Sequence, residues 1–182
     1  MRVAVLVVLS ILFSGCVTQA PRQYLDENTA ATITVVTNPW IFVSDDAAVA
    51  FDKRGYLSLY AFDVNQVGSH QRYLAVLQTS FGTVLPDEKS STPVLEIQAG
   101  GRKLQFQSTP QTLLELGSSR PIDKPITVQS RWWYFAVDNK DLATIAQLPA
   151  PRAVLVANDT RFSYVEFRNG SKELMALSAA LE

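Results

Sequence analysis

Few side chains in this 182-residue chain could do chemistry, and each stands nearly alone. His70 is the single histidine, in "VGSHQR", directly after Ser69. A Ser-His-Asp group assembled in space would let it serve as the general base of a hydrolase, and spacing along a chain does not exclude such an assembly. No G-x-S-x-G elbow accompanies it, and a histidine in a polar loop is ordinary surface. A zinc site needs several His or Cys ligands, more than one of each can supply, so no metal ligands are assigned. Calcium could in principle sit at Asp45-Asp46 or Asp138–Asp141, but "DNKD" lacks the spacing and glycine of a calcium loop. It reads better as a helix cap. Asp26 and Glu27 are neighbours on an extended segment, so they point to opposite faces and do not make an acid/base pair.

The run "RWWYF" is the most suggestive stretch. Trp, Tyr and Arg anchor protein interfaces and stack on sugars. On a strand, Trp132 and Tyr134 face one way while Arg131, Trp133 and Phe135 face the other. Either the strand is covered on both sides and its aromatics fill a core, or one set is exposed. Arg131, Trp132, Trp133 and Tyr134 are therefore the candidate binding surface, for a protein or a glycan.

The lone cysteine has a different setting. Val3 to Phe13 holds no charge and one polar residue, Ser10, and follows Arg2. A spanning helix needs roughly 20 apolar residues, about twice this run. A positive start, a short apolar stretch and small residues at the cut make a secretory signal. Phe13-Ser14-Gly15-Cys16 resembles the lipobox of bacterial lipoproteins, departing from it in having Phe where Leu is usual. The resemblance implies cleavage between Gly15 and Cys16, a diacylglyceryl thioether on Cys16 and acylation of the new amino group. Each buried CH₂ contributes about 0.8 kcal/mol, and two chains already hold stably. The same family's sorting pattern has Asp after the cysteine in proteins kept at the inner membrane. Val17 stands there instead, which implies the outer membrane, periplasmic face. The expected partner is thus membrane lipid through acylated Cys16, with an envelope protein or glycan as a second.

Composition fits export. Cys16 removed, the mature chain has no thiol left for a disulfide or a redox pair. Residues 16–182 number 167, enough to bury about 70% of the unfolded surface without a metal or disulfide, and no cofactor is expected. With Arg2 gone, 15 basic and 17 acidic residues leave a net −2. Like charges run no longer than pairs such as Lys53-Arg54, which argues against nucleic acid. Residues 1–15 are read as the signal, 16–23 as lipidated cysteine and linker, and 24–182 as one β-rich domain. The linker "VTQAPRQ" reaches roughly 25 Å at most, so the body stays near the bilayer.

Period two dominates that body. Strands are expected at Thr32–Val36, Trp40–Val43, Tyr56–Val64, Arg72–Phe81, Ile126–Val137, Ala153–Ala157 and Phe162–Phe167, with "NQVGSHQ" as a loop. "VLEIQ" and "KLQFQ" flank Gly100-Gly101 and make the clearest hairpin, with Leu95, Ile97, Leu104 and Phe106 on one face and Glu96 and Gln105 on the other. Helices are expected over Asp138–Pro149 and at the C-terminus after Gly170. Prolines 39, 93, 110, 121 and 125 suit strand ends and edges. The pattern therefore predicts a mainly β fold, an antiparallel β-sandwich of the immunoglobulin-like class with one or two short helices.

The segments "YLDENTAATITVV" and "RGYLSLYAFDVNQVGSHQRYLAVLQTSF" resemble a family of small proteobacterial lipoproteins over about half of the mature chain. That resemblance implies no activity. The expectation is a lipid-anchored envelope protein that binds or scaffolds and is not an enzyme; the alternative is an envelope hydrolase built around His70. Cys16→Ala should abolish incorporation of radioactive palmitate and leave unprocessed precursor, seen by gel and autoradiography.

Overall fold

The computed structural model describes residues 20–81, 85, 92–124, 129–158 and 160–181. Gly15 and Cys16, and with them the signal and its cut, lie outside the described residues, as does Pro125. Ten strands are present among those described: β1 (Arg22–Asp26), β2 (Ala31–Val35), β3 (Trp40–Ser44), β4 (Tyr56–Gln66), β5 (Ser69–Thr79), β6 (Val94–Ala99), β7 (Arg102–Thr109), β8 (Ser130–Val137), β9 (Arg152–Ala157) and β10 (Thr160–Arg168). Two helices join them, α1 (Asn139–Ala146) and α2 (Ser171–Ala180). Arg22 and Gln23, at the end of the expected linker, already belong to β1.

These strands close into an eight-stranded antiparallel barrel, which corrects the expected sandwich. Around the barrel the order is β4-β3-β10-β9-β6-β7-β8-β5, and β5 then pairs with β4 along eleven residues, Tyr56↔Thr79 to Gln66↔Ser69. Inward and outward residues alternate at period two in a sandwich and in a barrel alike, so the pattern did not distinguish them. The prolines do sit at strand ends, Pro39 before β3, Pro93 before β6 and Pro110 after β7. A closed barrel has as many strand ends as a sandwich, and they carry no information about closure.

The barrel is filled. Eight strands leave an interior just wide enough for side chains. Trp40 and Phe42 from β3 stack at 5.7 Å, and Leu57, Leu59, Leu74, Val76, Leu95, Ile97, Trp133, Phe135 and Leu155 complete the same cluster. Burying each such aliphatic or phenyl group stabilises by about 1.5–3 kcal/mol. Leu142 and Ile145 of α1 and Leu174 and Leu177 of α2 join this core, so the helices cap one end. Asp138 is the N-cap of α1, its side chain and that of Asp141 forming a reciprocal capping box. At the start of α2, Gly170 lies so close to Trp40 that a Cβ would meet its backbone nitrogen at 2.7 Å.

A second apolar layer covers part of the outer wall. Tyr60, Phe62 and Val64 of β4, Tyr73, Ala75 and Leu77 of β5, and Tyr134 of β8 point outward beneath Ala31, Ile33 and Val35 of β2 and Leu116 of the β7–β8 connection. Strands β4 and β5 are therefore buried on both faces, which is why they read as nearly continuous apolar runs. The outer edge of β4 is shared, β3 pairing with Tyr56–Leu59 and β2 with Phe62–Asn65. β1 pairs only with β2, and among the described residues its other edge pairs with no strand.

The expected loop "NQVGSHQ" is instead the tip of the β4–β5 hairpin, a two-residue turn at Val67-Gly68, and His70 lies on β5. Both turn residues have positive φ, 52° and 83°, the geometry of a hairpin turn that favours Asn-Gly. Val67 is fully exposed and β-branched, so it gains nothing by burial to offset the left-handed conformation. Val67→Asn should raise stability by about 1 kcal/mol, measured by urea unfolding.

Candidate functional site

Strand β8 divides its residues as alternation requires. Trp133 enters the barrel, and Tyr134 lies in the outer layer; both are buried. Arg131 and Trp132 keep partial exposure. Trp132 stacks on Tyr134 at 6.3 Å and lies 5.6 Å from the Tyr60 ring, while the Arg131 guanidinium donates to the Ser130 carbonyl. The four side chains do not share one open face. Inside the barrel, Trp133 Nε1 donates to Gln78 Oε1 at 3.3 Å, and Gln78 Nε2 donates to the Tyr164 hydroxyl at 2.9 Å. Burial pushes that hydroxyl's pKa up to about 12, against a small opposing effect of the Gln78 bond. This chain of polar groups is enclosed in the core and has no access to a ligand.

His70 does stand beside a carboxylate. Its Nδ1 lies 2.8 Å from Oδ2 of Asp63, which is fully buried, and Arg72 Nε stands 3.5 Å from the other carboxylate oxygen. Asp63, Asn65, His70 and Arg72 lie at the end of the β4–β5 hairpin, in register as Asp63↔Arg72 and Asn65↔His70. The carboxylate places the proton on Nδ1, and Nε2 accepts from Asn65 Nδ2 at 3.1 Å. An Asp-His pair of this kind orients a general base. Here the lone pair such a base would use is taken by an amide, and among the described residues no hydroxyl bonds to the ring. The signal for Asp63 was its charge inside the run "YLSLYAFDV". That it would meet His70 required knowing that the hairpin turns at Val67.

On the opposite wall the outward side chains are polar and organised around one carboxylate. Glu96 of β6 is buried and takes four donors: Lys103 Nζ at 2.7 Å, and Gln98 Nε2, Gln105 Nε2 and Arg161 Nη2 each at 2.9 Å. The Lys103 bond, helped by Arg161 and Gln105 and opposed by burial, lowers its pKa to about 2. Next to this network, at the helix-capped end, the β6–β7 turn forms an open groove of about 380 Å³ with the start of β9. Gln98, Gly100, Gly101, Arg102, Lys103 and Arg152 line it. The turn glycines have φ of +54° and +78°, where a side chain would be strained. Arg152 is paired with Asp45 and Lys103 with Glu96. Arg102 is exposed and extends the basic rim. The hairpin and its polar face were legible as alternation; the arginines at 152 and 161 come from distant strands and were not.

Asp26, in "YLDEN", is a structural lock. It accepts from Ser119 N at 2.6 Å, Ser119 Oγ at 2.8 Å and Asn28 N at 3.1 Å. Burial opposes ionisation, but the Ser119 hydroxyl and the backbone N–H groups outweigh it and hold its pKa below the ordinary carboxylate value. Asn28 Nδ2 also donates to Ser119 Oγ and Thr29 Oγ1 to the Gly117 carbonyl. The Tyr60 hydroxyl donates to Asp123, and burial and that carboxylate together push its pKa well up. These bonds clamp the β7–β8 connection over the outer layer.

Among the described residues no three His, Cys, Asp or Glu side chains gather as metal ligands. Comparison with protein-family models, with curated proteins and with solved structures finds no match to this chain.

The low pKa of Glu96 has a definite sign. Its folded value lies below its ordinary value of 4.5, so it stabilises above that pH and the contribution is lost as pH falls towards 2. Glu96→Gln should cost on the order of 1–2 kcal/mol at pH 7. The gap to wild type should shrink as pH drops from 5 to about 2, measured by thermal unfolding across pH.

Proposed function

We propose that this protein is a lipid-anchored module of the bacterial envelope, at the outer membrane and facing the periplasm, which binds a partner and performs no chemistry. The observation that carries the binding reading is the basic groove at the β6–β7 turn. Arg102, Lys103 and Arg152 surround open space there, and among the described residues two carboxylates, Glu96 and Asp45, are paired with Lys103 and Arg152 at the rim. Three cations against two carboxylates leave one positive charge in excess beside the open turn, which favours phosphate or carboxylate, so the ligand would be an anionic group of an envelope glycan or protein. The lipobox-like Phe13-Ser14-Gly15-Cys16 supports the anchor. The wall itself supports a barrel beside the bilayer, because a spanning barrel is apolar outside and polar within. This one has an apolar interior and places Glu96, Lys103, Gln105 and Arg161 outward.

The hydrolase reading retains one observation in its favour, the His70–Asp63 contact. The two separate experimentally. Crosslinking of the anchored protein in isolated envelopes should lose its products in Arg102→Glu with Arg152→Glu, with melting temperature within about 2 °C of wild type. Those products should persist in His70→Ala. Loss in His70→Ala together with retention in the arginine variant would overturn the binding reading.

A further inference from the structure

We infer that the outer wall carrying Tyr56, Phe81 and Phe167 rests on the bilayer that holds Cys16. The inference depends on the lipid anchor proposed above. Phe81 and Phe167 are 46% and 55% exposed, the only phenylalanines among the large exposed apolar residues described. They flank Tyr56, with ring centroids 6.2 and 6.0 Å from it in edge-on contact. The three side chains gather from the end of β5, the start of β4 and the end of β10, with Val43 of β3 paired between Tyr56 and Val165. This face lies outside the layer clamped by the β7–β8 connection, whose members are different residues. Exposed aromatics are the side chains that settle at a membrane–water boundary.

Register says which way the tether runs. Arg22 pairs with Val35, and Val35 with Phe62. β1 and β4 are each antiparallel to β2, so they run in the same direction, and the chain reaches Arg22 from the side of Tyr56. Tyr56 is six residues from Phe62, about 20 Å along the strand. Cys16 is also six residues before Arg22, a reach of about 22 Å at most. The tether is therefore just long enough to bring the lipid level with the aromatic trio.

Because acylation consumes the one native thiol, a cysteine introduced elsewhere can carry an environment-sensitive NBD label. The full-length lipidated protein would be reconstituted in vesicles of phosphatidylethanolamine with a minority of phosphatidylglycerol, some containing brominated acyl chains. Labels at Phe81→Cys and Phe167→Cys should be quenched by brominated lipid at least about twofold more than labels at Gln107→Cys and Val67→Cys. Equal quenching at all four sites, or stronger quenching at 67, overturns the inference while leaving the anchor intact. Shielding at 81 and 167 without lipid quenching also overturns it, and assigns the face to a second copy of this chain. Failure of the protein to float with the vesicles overturns the anchor and this inference together.

Discussion

The pairing of β4 with β5 over eleven residues is the constraint on which the rest of the molecule depends. It closes the barrel, since without it the sheet is an open ribbon ending at β5. It also gives β4 an outer edge long enough to seat two strands in tandem, β3 below and β2 above. One face of the pair supplies Leu57, Leu59, Leu74 and Val76 to the interior, and the other supplies Tyr60, Phe62, Tyr73 and Leu77 to the outer layer. Two apolar clusters share one two-stranded wall. Damage to that wall reaches both, so they are not independent units of stability.

How far this was legible depends on whether the information is local. The β6–β7 hairpin could be read directly, because Gly100-Gly101 and the flanking alternation lie within a few residues. The capping box of α1 was equally local. Closure was not, since it concerns which strands meet at the seam and inward alternation is the same for either architecture. β1 is hard to read because it has no apolar period to find. Tyr24 alone of its residues packs on the outer apolar layer, while Arg22, Gln23 and Leu25 are exposed and Asp26 is held in a polar lock. Val67-Gly68 does not advertise a tight turn as Asn-Gly does, so the sequence alone reads His70 as loop and hides its contact with Asp63.

The polar chemistry is unevenly placed. The Asp63 and Glu96 carboxylates are both buried, yet their surroundings differ. Glu96 is saturated by four donors from four residues on three strands, an arrangement that stiffens a sheet surface. Asp63 serves a histidine and an arginine near a hairpin tip. Neither is positioned as an acid or base facing open space. The open groove at the β6–β7 turn lies beside cations instead. That division leaves the interior largely to packing.

Among the described residues one edge of β1 pairs with no strand. A free row of backbone donors and acceptors is a template for a strand from a neighbouring chain. Here that row is short, and charged residues, Arg22 and Asp26, stand at its two ends. Asp26 is moreover held by Ser119, so the strand cannot readily shift its register to accept a newcomer. This open edge among the described residues is thus also guarded against uncontrolled growth.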